Sequence, residues 1–356
     1  MAEYRDPWAG GSGNSHRAPH ASPPFGPSPE KNTSPPPERW RAPPGFGGMP
    51  PRPAINPYKR PLRRNANILG AGLTLCFIIP AFGYFTRGFS PVVRSIFGMS
   101  LNILMLLVPA ILIAVWLNMP FRVAFPIRRA SARLTVPGVF CCLGTSVIGV
   151  YISMVLAAIL AGTVGVAASM PDFSPPRGAV EIVIYIIMIS VIPAIFEELL
   201  CRGVVMQSLR RFGDGFAVVT SSLLFAMLHR NLLQGPNAFI TGMLLGYFTL
   251  RSGSLIPAIV MHFFNNFIYG MLSVVMLNIP VRYAQILNFS LIPAFLGLGV
   301  VGVILMALLN GGFLPLHNKD IGLGSGQKCR LFFTAPLAIL FILATVYQSR
   351  HFFNFI

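Results

Sequence analysis

Residues 183–205 read VIYIIMISVIPAIFEELLCRGVV: an almost unbroken apolar run that ends in two adjacent glutamates, Glu197 and Glu198, with Arg202 one helical turn further on. At membrane depth a carboxylate costs about 3 kcal/mol or more. A greasy helix that carries two of them side by side needs a use for them.

The rest of the chain shows that membrane depth is the right frame. Of its 356 residues 54% are hydrophobic and only 10% charged, and the mean hydropathy is +0.67. A soluble domain carries roughly 25% charged residues, so the composition is that of an integral membrane protein. The apolar segments are long and rich in Leu, Ile, Val, Phe, Gly and Ala, without the alternation of a membrane barrel, and they read as helices. The expected fold class is all-α, a polytopic transmembrane bundle of about eight or nine spans in the lipid bilayer.

The net charge of +17 does not point to nucleic acid. Arg and Lys sit between the apolar runs, where they set topology and meet anionic headgroups, so no nucleic-acid partner is expected. The five cysteines (Cys76, Cys141, Cys142, Cys201 and Cys329) are odd in number and mostly lie within apolar segments. They read as small packing residues, neither a disulfide framework nor a metal site.

Residues 1–64 are a different material: they hold half of the 32 prolines, in runs such as SPPFGPSP and RAPPGFGGMPPRP. Nothing there can bury a core, and a disordered Pro/Gly-rich tail is expected. No short apolar stretch with a cleavage site precedes the first span, so no signal peptide is expected. The tail ends in KRPLRR, a basic cluster that holds the N-terminus in the cytoplasm. Residues 65–178 then form N-terminal membrane helices, 179–277 a core and 278–356 C-terminal membrane helices. The apolar runs predict helical spans near 67–87, 94–117, 136–164, 180–210, 216–230, 237–251, 255–277, 289–309 and 331–349. With alternating spans, the loops holding Arg122 to Arg133, Arg210, Arg211, Arg251 and Lys319 to Arg330 are cytoplasmic. Arg87, Arg94, Asp172, Arg177, Arg230 and Arg282 lie in the opposite loops.

Beyond residue 64 the acidic residues are Asp172, Glu181, Glu197, Glu198, Asp214 and Asp320, and the adjacent pair is the one inside a helix. Two histidines, His229 and His262, also lie in or at the end of apolar helices. At ~1.5 Å per residue, Glu197 and His229 each stand about 20 Å above the cytoplasmic ends of their helices and His262 about 12 Å. Three helices thus bring Glu, His and His to comparable depth. Glu198 and Arg202 are i,i+4 with the acid first, the favoured order for a pair. Glu197 has no basic neighbour at that spacing and is free to meet a histidine from another helix. His262 and Asn266 project from one face of their helix, as do Phe225 and His229, which set an apolar wall beside an imidazole. A Glu–His couple can activate water, and a second His with an Asn can stabilise an oxyanion.

The three motifs, Glu197-Glu198-x-x-x-Arg202, Phe225-x-x-x-His229 and His262-x-x-x-Asn266, resemble in this order the CPBP family of intramembrane proteases. This is the CAAX prenyl endopeptidase and bacteriocin-processing group, also called ABI. The surrounding SSLLFAMLH (221–229) and YFTLRSGSLIPAIVMHFFNN (247–266) are similar as well, and the resemblance covers roughly residues 181–275. It implies a glutamate-dependent endopeptidase acting on a membrane-associated peptide or protein. Glu197 and His229 would activate water, His262 and Asn266 would form the oxyanion hole, and Glu198 with Arg202 would support them. Cys201 stands where the family often has an aromatic residue; a thiol nucleophile one turn from a carboxylate is disfavoured.

No cofactor is expected. Zinc is the alternative, held by Glu197, His229 and His262, and the absence of HExxH rules out the zincin arrangement. Two rival classes are a non-catalytic scaffold or bacteriocin-immunity protein that regulates partner membrane proteins, and a transporter. The transporter predicts acids scattered over several helices and inverted repeats; the sequence has one acidic cluster and no repeat. The reading is a multi-pass protein of a bacterial cell membrane, with a polar cavity opening toward the cytoplasm where a Glu–His pair hydrolyses a peptide bond.

Overall fold

The computed structural model describes residues 56–355, apart from 87, 170–174, 176–177 and 317–319. The tail expected over 1–64 lies outside the described residues up to 55, as do Arg87, Asp172, Arg177 and Lys319. The first helix begins inside the expected tail, because KRPLRR is itself helical: α1 runs Lys59–Ile78. The boundary therefore falls at least five residues earlier than proline content suggests. A proline in the first turn of a helix breaks no hydrogen bond, and Pro61 sits there.

Among the described residues nine further helices of nine or more residues follow: α2 Pro91–Trp116, α3 Ala132–Ile159, α4 Ala179–Phe212, α5 Asp214–Leu228, α6 Gly235–Ser252, α7 Ile256–Leu277, α8 Val281–Asn310, α9 Ser325–Phe333 and α10 Pro336–Ser349. Local chemistry sets several ends. Ser90 and Ser131 cap α2 and α3 by accepting from Val93 N and Arg133 N. Gly253 and Gly311 stop α6 and α8 at φ of +64° and +70°, a region open to glycine.

The helices expected at 216–230 and 237–251 are present as α5 and α6, but α5 has 15 residues. At ~1.5 Å per residue it is about 22 Å long, short of the roughly 30 Å hydrocarbon layer. The last expected span is a pair, α9 and α10, bent by 74°. Among the described residues six helices are long and apolar enough to cross a membrane, α1, α2, α3, α4, α7 and α8, and the bent pair makes a seventh if it is one span. The count is thus below the eight or nine expected. Exposed Val300, Ile304 and Leu308 on α8, with Leu343 and Val346 on α10, give the surface the apolar character a bilayer requires. The chain is an integral, multi-pass helical membrane protein.

Between membrane helices the driving force is close packing, which favours small residues. The seam of α3 and α8 shows this: a Cβ on Gly144 would meet the Gly299 Cα at 2.7 Å, and one on Gly302 would meet the Cys141 backbone N at 2.7 Å. Around this seam Cys141, Cys142, Leu245, Phe248, Met261 and Met306 join α3, α6, α7 and α8 in one buried cluster. At the other side α1 stacks Phe77 on Phe341 of α10, 5.4 Å apart.

Loop-to-loop hydrogen bonds define two faces of the bundle. On one, Asn56 Nδ2 donates to Ile321 O, Arg64 Nη2 to Trp116 O, Ser254 Oγ to Arg128 O and Asn310 Nδ2 to Arg133 O. On the other, strand β1 (Val166–Ala168) pairs antiparallel with β2 (Phe353–Phe355), Ser169 N donates to Phe352 O, and Asn231 Nδ2 donates to Ser169 O.

Candidate active site

The long helix α4 is not regular where its carboxylates sit. Residues Ile187–Val191 and Leu199–Val205 are π-helical turns, on either side of Ile192–Glu198. Such wide turns concentrate at functional sites. One cause is in the sequence: Pro193 has no N–H to give the carbonyl of Ile189, its i−4 partner. The structure places another donor there, Asn266 Nδ2 of α7, at 3.0 Å.

Glu198 is fully buried and is the hub. Its Oε1 accepts from Arg202 Nη1 at 2.6 Å and from His262 Nδ1 at 2.8 Å. The i,i+4 pair expected from the sequence is formed; the bond to His262 was not foreseen, because nothing local signals a contact between α4 and α7. Bound to a carboxylate through Nδ1, His262 turns Nε2 toward Glu197 Oε2, 3.8 Å away. That is too far for a hydrogen bond. Glu197 Oε2 has no hydrogen-bond partner among the described residues, and its side chain keeps 20% of its exposure.

His229 closes α5. Its Nδ1 lies 2.9 Å from Phe225 O. A carbonyl only accepts, so Nδ1 carries the proton and Nε2 of the neutral ring keeps a lone pair. Phe225 ties the group together. Its ring meets His229 edge-on at 4.8 Å and His262 edge-on at 6.0 Å, and the Arg202 guanidinium lies 4.2 Å from its centroid. Gly242 leaves the room this needs, since a Cβ there would stand 3.0 Å from Arg202 Nη2. Arg202 Nε and Nη2 find no hydrogen-bond acceptor among the described residues, so the cation rests on Glu198 and on the aromatic face. Asn265, beside Asn266, accepts from Ser146 Oγ at 2.6 Å and donates to Asn266 Oδ1 at 3.2 Å, which orients the second amide from α3.

Glu197, His229, His262 and Asn266 all line one cavity of about 1100 Å³. Glu198 and Arg202 stand behind it. The cavity also takes in Cys76, Arg230, Gln234 and His351, none of which carried a sequence signal. Cys201 is fully buried and is not part of its lining. The helix ends that contribute come from the β1–β2 face: the α5–α6 loop and the residues just after α10. The sequence leads to an opening toward the face of the basic loops, yet no residue of those loops lines the cavity. The depth estimate measured each residue from the basic end of its helix, and His229 is the last residue before the opposite loop.

Among the described residues no three His, Cys, Asp or Glu side chains form a group that could hold a metal ion. Nδ1 of each imidazole is committed to a protein acceptor, Phe225 O or Glu198 Oε1.

Residues 179–268 match the family model described as type II CAAX prenyl endopeptidase, Rce1-like. No curated protein and no solved structure gave a match. The matched segment contains the carboxylate pair, Arg202, both histidines and Asn266. The match over that segment supports a CPBP/CAAX-type intramembrane protease family.

Proposed function

We propose that the protein is an endopeptidase that hydrolyses a peptide bond of a membrane-associated substrate with a water activated by Glu197 and His229. The observation that carries this reading is the unpartnered Glu197 oxygen in the same cavity as the lone-pair nitrogen of His229. A carboxylate and an imidazole together can remove a proton from water as it attacks a carbonyl and return it to the leaving amine. Asn266, aimed by Asn265 and the Ile189 carbonyl, is the neutral donor for the oxyanion of the tetrahedral intermediate, and His262, aimed by Glu198, donates through Nε2 in its doubly protonated form. Glu198 and Arg202 position His262 without touching the substrate. No covalent intermediate and no metal is part of this route. The basic loops put the N-terminus in the cytoplasm.

The test is cleavage of a library of membrane-anchored peptides by the purified protein in detergent, beside His229→Ala and with or without a chelator. Loss of cleavage in the variant with an inert chelator supports the reading. Inhibition by the chelator, reversed by zinc, contradicts it. Partner capture that survives His229→Ala, with no cleavage by folded wild type, points to the scaffold.

A further inference from the structure

The two faces of the bundle differ in charge as well as in bonding. The face tied by Asn56, Ser254 and Asn310 carries four Arg or Lys between Lys59 and Arg64 and four Arg between Arg122 and Arg133. Arg210, Arg211, Arg251, Lys328 and Arg330 follow on the same face. The β1–β2 face carries Arg94, Arg230, Arg282 and Arg350 among the described residues, spread over four separate segments. Positive loops are retained in the cytoplasm, so the first face is the cytoplasmic one. The cavity is lined from the second. His229, Arg230 and Gln234 of the α5–α6 loop, Gln348 in the last turn of α10, and His351 and Phe352 after it line the cavity at this face. No residue of the basic loops lines it.

We propose that the cavity opens on the face of the membrane away from the cytoplasm. Resting on the peptidase reading, this makes the substrate a polypeptide segment exposed on that far side, such as the juxtamembrane stretch of an exported or membrane-anchored protein. The reaction that supplies it is then a translocation across the membrane, and cleavage follows export. The inference joins two independent observations, the charge of the loops and the origin of the lining.

Sidedness is read by thiol labelling, which needs no turnover and so separates this inference from the peptidase reading. Cys329 is exposed and stands beside Arg330, a native reporter for the basic face. Gln234→Cys, in a Cys329→Ala background, reports on the cavity lining, and Leu232→Cys, 43% exposed on the same loop, is a second reporter. In intact cells a membrane-impermeant maleimide is expected to label both introduced cysteines and to spare Cys329 in the native protein. In inverted vesicles the pattern reverses. Labelling of Cys329 in intact cells, with Gln234→Cys and Leu232→Cys reached only in inverted vesicles, overturns the inference whether or not the protein cleaves peptides.

Discussion

Glu198 and His262 lie 64 positions apart in the chain and meet at 2.8 Å, on the same carboxylate oxygen that holds Arg202. The two adjacent glutamates are therefore different groups: one is locked between a guanidinium and an imidazole, and its neighbour faces the cavity with an oxygen, Oε2, that has no hydrogen-bond partner among the described residues.

The first prediction separates them by stability. Removing one partner of a buried pair leaves the other uncompensated and costs about 3–5 kcal/mol. Glu198→Ala is expected to lower the thermal unfolding midpoint strongly in detergent, because Arg202 is then buried with Phe225 alone. Glu197→Gln should stay within about 0.5 kcal/mol of wild type, as expected of a site outside the hydrogen-bond network. Equal destabilisation by the two contradicts the division of labour.

Phe225 is expected to matter more than an apolar filler. Phe225→Leu keeps the hydrophobicity but removes the edge contacts to both imidazoles and the face under Arg202. A loss of about 1–3 kcal/mol follows from those contacts, with lower peptidase activity at temperatures where the variant is still folded.

Pro193→Ala tests how Asn266 is held. The new N–H can bond the Ile189 carbonyl in the ordinary helical way and compete with Asn266 Nδ2. Alanine is the better helix former by about 3 kcal/mol in a helix interior. The expected outcome is an unchanged or higher unfolding midpoint with reduced kcat and little change in KM. Unchanged kcat means the Ile189 contact does not position Asn266.

Gly299→Leu and Gly302→Val place side chains where α3 and α8 already touch. Overpacking costs about 1–3 kcal/mol where neighbours can give, and more against backbone. Both variants should unfold at lower temperature, whereas Gly297→Ala, in open space on the same helix, should not.

Local patterns in the sequence carried much of this site. The spacing of Glu198 and Arg202, of Phe225 and His229, and of His262 and Asn266 is helical, so each pair shared a face before any fold was known. Pro193 drew no expectation, although a proline there frees the carbonyl of Ile189. The contact of His262 with Glu198 was out of reach, since it depends on the packing of α4 against α7 and not on either helix alone. The same holds for Asn265 and Ser146, which join α7 to α3. The nine expected spans became six or seven because apolarity marks a helix without fixing its depth: α5 is greasy but too short. The far-face opening was hidden for a related reason. Distance from one end of a helix says nothing about which loops close over the other.

The central claim is that Glu197 is the reactive carboxylate, and single-turnover cleavage of one identified peptide by folded Glu197→Gln tests it most directly. The account predicts an unfolding midpoint like wild type and a cleavage rate lower by about 10²–10⁴-fold, the usual contribution of a positioned general base. A folded Glu197→Gln protein that cleaves within tenfold of wild type contradicts it.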